Sequence, residues 1–439
     1  MFQHSFVSPT PSPMFRFLSL ALVLACVFPL QAQQTVIPKS TRLEYTLYLQ
    51  ENATISGNLR LRVNSEGVLT GASMEEPSEE IVFDRVEVLA PNHIRLHYDI
   101  FDTYIELTNM EAIRDENYDN GLKVKAEGAW VRNGLAEPYV VKMEFFNRNR
   151  HQPVFAGGID SEVAPYFEKP SWAVTFTDPK TSREIPAIAL IHNNQSFLKG
   201  TFMTATGDYR YLSGNLYGRT LELCGFDLGS AYVFKADLQE DGTLKGELFS
   251  GKSGYRTWVA RRDDQATLPD AKTLTYLNEG HDQLSFQFPN LQGQAVSLQD
   301  ARYQGKVRII QILGSWCHNC MDEANFLAPW YEANRQRGVE VIGLAYEISP
   351  EFEKAALRVQ KMKERLNIGY ELLIAGTTQN ANETLPALNH VMAYPTTIFV
   401  DKQGRVRKIH TGFNGPATGE PYFEYIREFE QFVAKLLEE

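Results

Sequence analysis

Cysteine is scarce: the 439 residues hold four, too few for a fold stapled by many disulfides. Long apolar runs are missing as well. None reaches the ~18 residues of a membrane-spanning helix, so an integral membrane protein is not expected. Basic charge is in deficit, with 43 Lys and Arg against 54 Asp and Glu and a net charge of −11. Nucleic-acid binding runs on clustered cations, so no nucleic-acid partner is expected. What remains is the composition of a globular protein, 43% hydrophobic and 22% charged. At ~150 residues per domain, the length allows two or three domains.

The first apolar stretch, Leu20 to Leu30, is preceded by Arg16 and followed by Gln31-Ala32-Gln33-Gln34. A short apolar core with a cation before it and a small residue after it reads as a secretory signal peptide over residues 1–33, cut near Ala32. Export to a periplasm or cell envelope is therefore expected. A lipid anchor on Cys26 is the minor alternative, because Leu24 is bulky where a lipoprotein box takes something small. Removal of the leader leaves Cys224, Cys317 and Cys320 in an oxidising compartment. An odd count there means one unpaired thiol, or a redox pair with a bystander.

Two textures follow. From about Thr41 to Arg262 apolar and polar residues alternate, as in Leu59-Arg60-Leu61-Arg62-Val63. Asp241-Gly242 between two such runs predicts a hairpin, since its turn requires positive φ. Strands at this spacing predict an all-β region, sandwich or barrel-like. A faint echo between Glu66–Gly71 and Asp241–Gly246 favours two β subdomains, 40–155 and 156–262. Residues 263–282 are polar, hold Pro269 and Gly280, and read as a linker. In 283–439 strands alternate with helices, an α/β layer fold. Val307–Leu313 reads as a central strand, followed by helical stretches over 320–337, 351–366 and 422–437.

Gly314-Ser315-Trp316-Cys317-His318-Asn319-Cys320 sits between that strand and the first helix. Two cysteines three apart at a helix N-terminus can close a small disulfide loop. The first sulfur faces the positive end of the helix dipole and unpaired N–H groups, which favours the nucleophilic thiolate. Cys317 is expected as the exposed attacker and Cys320 as the buried resolver of a mixed disulfide. A zinc half-site, a structural disulfide and a peroxidatic thiol are the competing readings. Zinc requires four ligands, and the third mature cysteine lies far upstream. A three-residue span closes too small a loop to constrain the unfolded chain. The residues expected around a peroxidatic thiol are absent.

Trp316-Cys317-x-x-Cys320 after an apolar strand, with Tyr394-Pro395-Thr396 downstream, resembles the thioredoxin superfamily. The match is best to its exported TlpA/ResA-type branch, whose N-terminal hairpin resembles Phe286–Leu291 with Gly293 and Val296–Leu298. The resemblance implies a thioredoxin-like fold over 283–439 and an exported thiol–disulfide oxidoreductase of reductase or isomerase type. It implies no cofactor beyond the Cys317–Cys320 couple. It implies envelope proteins bearing disulfides as substrates and a membrane thiol-reductant donor as partner.

Glu323 falls where the branch commonly has a functional glutamate, a proton shuttle, and a solvated first-turn acid is the plain alternative. Pro395 matches the superfamily's cis-proline. Thr396 beside it is expected to offer backbone groups to an incoming peptide. Trp316 reads as a partly exposed platform beside the sulfur, and His318, when protonated, can favour the thiolate. Gln311 stands where thioredoxin proper has a buried acid, so that proton acceptor is missing.

The β region holds many aromatics, among them Trp130, Trp172, Phe202, Tyr209 and Tyr211, and strand aromatics are more often core than ligand cage. Lys199–Phe202 with Thr206–Tyr211 resembles β segments fused to TlpA-like domains in bacterial envelope proteins. A substrate-binding or docking module is expected there. The rival reading of the whole chain is a β-barrel receptor for a ligand or partner protein, with a vestigial redox domain. Cys224 reads as a buried bystander.

Overall fold

The computed structural model describes residues 41–439 apart from 77, 119–120, 134–138, 148–161, 169–170 and 195–196. The expected leader, Cys26 and most of the expected boundary between the β subdomains lie outside the described residues.

Alternation makes Thr41–Gln50 and Ala53–Val63 paired antiparallel strands, with Leu43, Tyr45, Leu47, Leu59 and Leu61 on one buried face. They sit inside a nine-stranded antiparallel sheet. From one edge to the other its strands are Glu80–Val82, Leu69–Glu75, Ala53–Val63, Thr41–Gln50, Tyr139–Phe146, Leu122–Arg132, Thr103–Arg114, His93–Tyr98 and Arg85–Ala90. Trp130 is completely buried in its core, and its indole N–H donates to Thr103 and to the Leu228 carbonyl. Phe226, Val233 and Phe249 of the second β sheet, and Leu228 from a loop between its strands, belong to that same core, so the two β units share an apolar seam.

The second sheet also has nine strands. Ser171–Thr177 pairs with Glu184–Asn193 and with Gly254–Arg262. The sheet runs on through Leu244–Ser250, Ala231–Leu238, Thr220–Phe226, Leu212–Tyr217 and Leu198–Thr204. Leu198–Thr204 then pairs with Glu184–Asn193, which closes eight strands into a barrel. Asp241-Gly242 makes the expected tight turn, with Gly242 at φ 78°. Side chains fill the barrel: Phe202 stacks on Phe234 at 4.2 Å, and Trp172, Phe176 and Trp258 are buried around them. Eight strands leave about room enough for that filling. The β aromatics named from the sequence are thus mostly core.

Residues 263–282 do not hang loose. Asn278 donates its side-chain amide to the carbonyls of Pro386 and Leu388, and Thr275 is fully buried. Beyond them lies a five-stranded sheet in the order Glu371–Thr377, Val339–Glu347, Val307–Leu313, Thr396–Val400, Val406–Thr411. The first three strands are parallel and the last two antiparallel. Every residue of Val307–Leu313 is buried, because both faces of the strand are covered. Helices α1 (His318–Asn334), α2 (Phe352–Arg365) and α4 (Glu420–Glu438) supply Leu327, Val359 and Phe429 to one face. The hairpin of Gln287–Pro289 with Ala295–Ser297 and the short α3 (Ala381–Thr384) cover the other.

The β region packs onto this domain. Ile100 and Phe101 enter the core cluster that contains the first turn of α1. Arg358 and Arg365 of α2 pair with Asp102 and Asp84, which lie in connections between strands of the first sheet.

Candidate active site

The all-buried strand Val307–Leu313 ends at Leu313, and the chain turns through Gly314 and Ser315 into α1. Cys317 is the N-cap, and its sulfur accepts the Cys320 backbone N–H at 3.2 Å. Cys317 and Cys320 are joined in a disulfide. Glu347 fixes the turn from below, accepting the Ser315 backbone N–H and hydroxyl at 2.7 Å each. Burial pushes the Glu347 carboxyl up and these bonds hold it down.

Cys320 is fully buried, and Cys317 is only 7% exposed rather than open to solvent. The difference from expectation has a physical cause, because Tyr394 and the β region both crowd the motif. Tyr394 O lies 3.5 Å from the Cys317 sulfur. Trp316 is half-buried as expected, edge-on to Tyr394 at 5.3 Å, with its indole N–H donated to Tyr346 O. The Tyr394–Pro395 bond is cis.

Thr396 is placed differently from its sequence reading. It is fully buried in the sheet between Ile312 and Thr411, and its hydroxyl donates to Ala393 O. The Pro395 carbonyl is taken by Gly412 N–H at 2.7 Å. The backbone group that faces the disulfide belongs to Tyr394, one residue before the proline, where the sequence reading had placed the role on Thr396.

Glu323 is not a solvated first-turn acid. It is fully buried, and accepts from Thr397 Oγ1 at 2.5 Å, Gln311 Nε2 at 2.8 Å and Tyr425 Oη at 3.4 Å. Burial pushes its carboxyl up to about 7, against the lowering effect of those three donors. Gln311 in turn accepts from Tyr370 Oη at 2.9 Å. The carboxylate absent from the central strand is therefore supplied by the helix, bonded to the very glutamine that stands in its place. Thr397, Tyr425 and Tyr370 were invisible in the sequence. Their only advance signal was a polar threonine inside an apolar strand.

In front of the motif lies the barrel. His318 Nδ1 is 2.7 Å from the Asp227 carboxylate and Nε2 is 3.0 Å from Ser230 Oγ. The Phe101 ring lies over the imidazole at 4.3 Å. Arg210, in the turn after Gly207–Asp208, reaches Asp227 at 2.9 Å, Asp322 at 3.1 Å and Glu79 at 3.2 Å. Burial works to raise Asp227, yet His318 and Arg210 hold its carboxyl well below the usual range. At Asp208 burial and the neighbouring Asp322 outweigh the pull of the Gly415 and Arg210 N–H groups and of the Arg210 charge, and its carboxyl is pushed up to about 6. With its amide turned to satisfy both groups, Asn319 exchanges two hydrogen bonds with the Asp208 main chain. Gly207 and Gly229 permit this approach, since a Cβ on either would strike Asn319 or His318.

Cys224 accepts no such company of cations. Its thiol is pushed far up by burial and by Glu76, the wrong direction for a nucleophile. Among the described residues no group of His, Cys, Asp and Glu is arranged to hold a metal ion.

A family model described as AhpC/TSA family matches residues 280–409. Thiol-disulfide oxidoreductase ResA of Geobacillus kaustophilus is 30% identical over 142 residues, covering 32% of this chain and 74% of that protein. ResA of Geobacillus thermodenitrificans is 31% identical over 127 residues, 29% of this chain and 66% of that one. The crystal structure of a thiol:disulfide interchange protein of the thioredoxin family from Chlorobium tepidum matches with 19% identity and a TM-score of 0.28, over 36% of this chain and 98% of its own.

Proposed function

Through its C-terminal domain this chain belongs to the ResA-type thiol–disulfide oxidoreductases of the thioredoxin superfamily, and from that premise we propose that it is an exported reductase or isomerase of envelope proteins bearing disulfides. The observation that carries the reading is the Cys317–Cys320 disulfide at the start of α1, facing the cis Tyr394–Pro395 bond. In the dithiol form the Cys317 thiolate attacks one sulfur of a substrate disulfide and forms a mixed disulfide, releasing the other as thiolate. Cys320 then attacks Cys317, frees the second substrate thiol and leaves Cys317–Cys320 oxidised. Two electrons pass to the substrate, and a membrane thiol donor returns them. No cofactor takes part beyond the cysteine pair.

Glu323 is the acid–base group of this cycle. A buried carboxyl near 7 can take the proton that Cys320 must lose before it attacks. Trp316 and Pro395 shape the substrate face, with Tyr394 O as the backbone acceptor for an extended peptide. We assign the leader to residues 1–33, β units to 40–155 and 156–262, the connecting segment to 263–282 and the redox domain to 283–439. The β region acts as the docking module of the enzyme. The apolar filling of the barrel favours this over a ligand receptor.

The test is insulin reduction by the purified protein with dithiothreitol. Turnover that vanishes in Cys317→Ser supports the reading, and equal turnover in that variant defeats it. Cys320→Ser, expressed in cells, is expected to accumulate mixed disulfides with its substrates.

A further inference from the structure

One wall beside the cysteine pair is supplied by another domain. The barrel turn that follows Leu198–Thr204 lies across the first turn of α1 and the loop after Val406–Thr411. The Asp208 main chain exchanges two hydrogen bonds with the Asn319 amide, between the cysteines, and the Asp208 carboxyl accepts the Gly415 N–H. Arg210 donates to Asp322 of α1 at 3.1 Å. The Thr206 backbone lies so near Gly412 that a Cβ there would come within 2.6 Å of it. Gly412 donates its N–H to the Pro395 carbonyl at 2.7 Å, and the preceding carbonyl, of Tyr394, stands 3.5 Å from the Cys317 sulfur. An extended peptide that bonded Tyr394 O and ran on past Pro395 would therefore meet Thr206. Cys317 itself is left 7% exposed.

A mixed disulfide sets a limit on space. Its two Cα atoms stand about 4.4–6.8 Å apart, so the backbone of a protein substrate must come that close to Cys317. A small dialkyl disulfide brings no backbone. We propose that the barrel turn Thr206–Arg210 is a removable lid on the cysteine pair, which bars protein disulfides while it is seated and admits them when the β region and the redox domain part. The proposal rests on the oxidoreductase reading and adds a selection of substrate by size. What seats the lid is chiefly polar: the contacts of Asp208 and Arg210, and those of Asp227 and Ser230 with His318. Water replaces such bonds at small net cost. Ile100 and Phe101 are the apolar part of the seam. A seam of this kind lets domains move against each other, whereas the apolar seam between the two β units keeps them together as one body.

The experiment reduces the full chain, removes the reductant and follows its oxidation by insulin or by hydroxyethyl disulfide. In either reaction two electrons and two protons leave the cysteine pair, giving two substrate thiols and the Cys317–Cys320 disulfide. Arg210→Met breaks the seam from the barrel side and Asp322→Ala from the helix side. Any change in the reactivity of the sulfurs acts on both substrates alike and cancels in the ratio of the two rates. The ratio of insulin to hydroxyethyl disulfide is expected to rise about three- to tenfold in each variant, the weight of one hydrogen bond in the closed-to-open equilibrium. The two substitutions change net charge in opposite directions, so a shared rise does not come from attraction of insulin. A ratio that stays level or falls overturns the proposal. If Arg210→Met does not fold, Asp322→Ala alone decides. A wild type that reduces neither disulfide would instead remove the oxidoreductase reading itself.

Discussion

Behind the disulfide and in front of it, the protein buries carboxylates in opposite company. Glu323, behind, meets a threonine, a glutamine and a tyrosine, all neutral donors. Burial dominates there and leaves a carboxyl near 7. Asp227, in front, meets an arginine and a histidine, and it stays ionised although it too is largely out of water. Desolvation acts on both, and the charge of the partners decides the outcome. One acid is left able to exchange a proton near neutrality, while the other serves as a fixed charge.

The comparison can be broken at either side. The largest effect is expected at the sulfur between them: Cys317→Ser reduces insulin turnover to the uncatalysed background. Next comes the front. Arg210→Met leaves the buried Asp227 and Asp322, and the half-buried Glu79, without their common cation, which costs ~3–5 kcal/mol, read as a lower midpoint in urea unfolding. Then the back: Glu323→Gln is expected to slow turnover on the order of 10²-fold and to flatten the pH–rate profile near 7.

The same carboxyl has a stability signature. Its folded value lies above the ordinary one, so the folded state binds more protons than the unfolded state between about 4.5 and about 7. Stability linked to Glu323 is therefore full below that window and lost as pH rises through it, by at most ~3 kcal/mol. Glu323→Gln is expected to abolish that slope in unfolding measured from pH 4 to 8. The smallest effect is Tyr425→Phe, which removes the longest of the three donors and raises the acid limb by a few tenths of a pH unit, on the order of a weak hydrogen bond. An unchanged slope in Glu323→Gln would erase the contrast between the two acids.

The C-terminal domain was legible because its signals are local. Val307–Leu313 is an apolar run broken only by Arg308 and Gln311, and it forms a strand with those bounds. Cys317 and Cys320 share one turn, so their spacing alone announces a redox loop at a helix start. The partners of Glu323 were not legible, since Thr397 and Tyr425 lie 74 and 102 residues away and meet it only in the fold. In the β region, alternation announces strands such as Thr41–Gln50 but is silent about closure. Whether Leu198–Thr204 pairs with Glu184–Asn193 to seal a barrel depends on twist accumulated over eight strands. No motif or spacing singles out Asp227 and Ser230, whose place in front of the cysteine pair appears only once the barrel is docked on α1.

The shared arginine also orders events in time. Arg210 emerges from the ribosome 112 residues before Asp322. Until the later residues arrive, the barrel's acids and their cation remain at a wet surface, where they stay hydrated at little expense. Domains form as units in the order of synthesis, so the seam between barrel and helix closes last. A newly made chain is thus expected to pass through a stage in which its cysteine pair is uncovered, the moment at which an oxidising catalyst has its freest access to it.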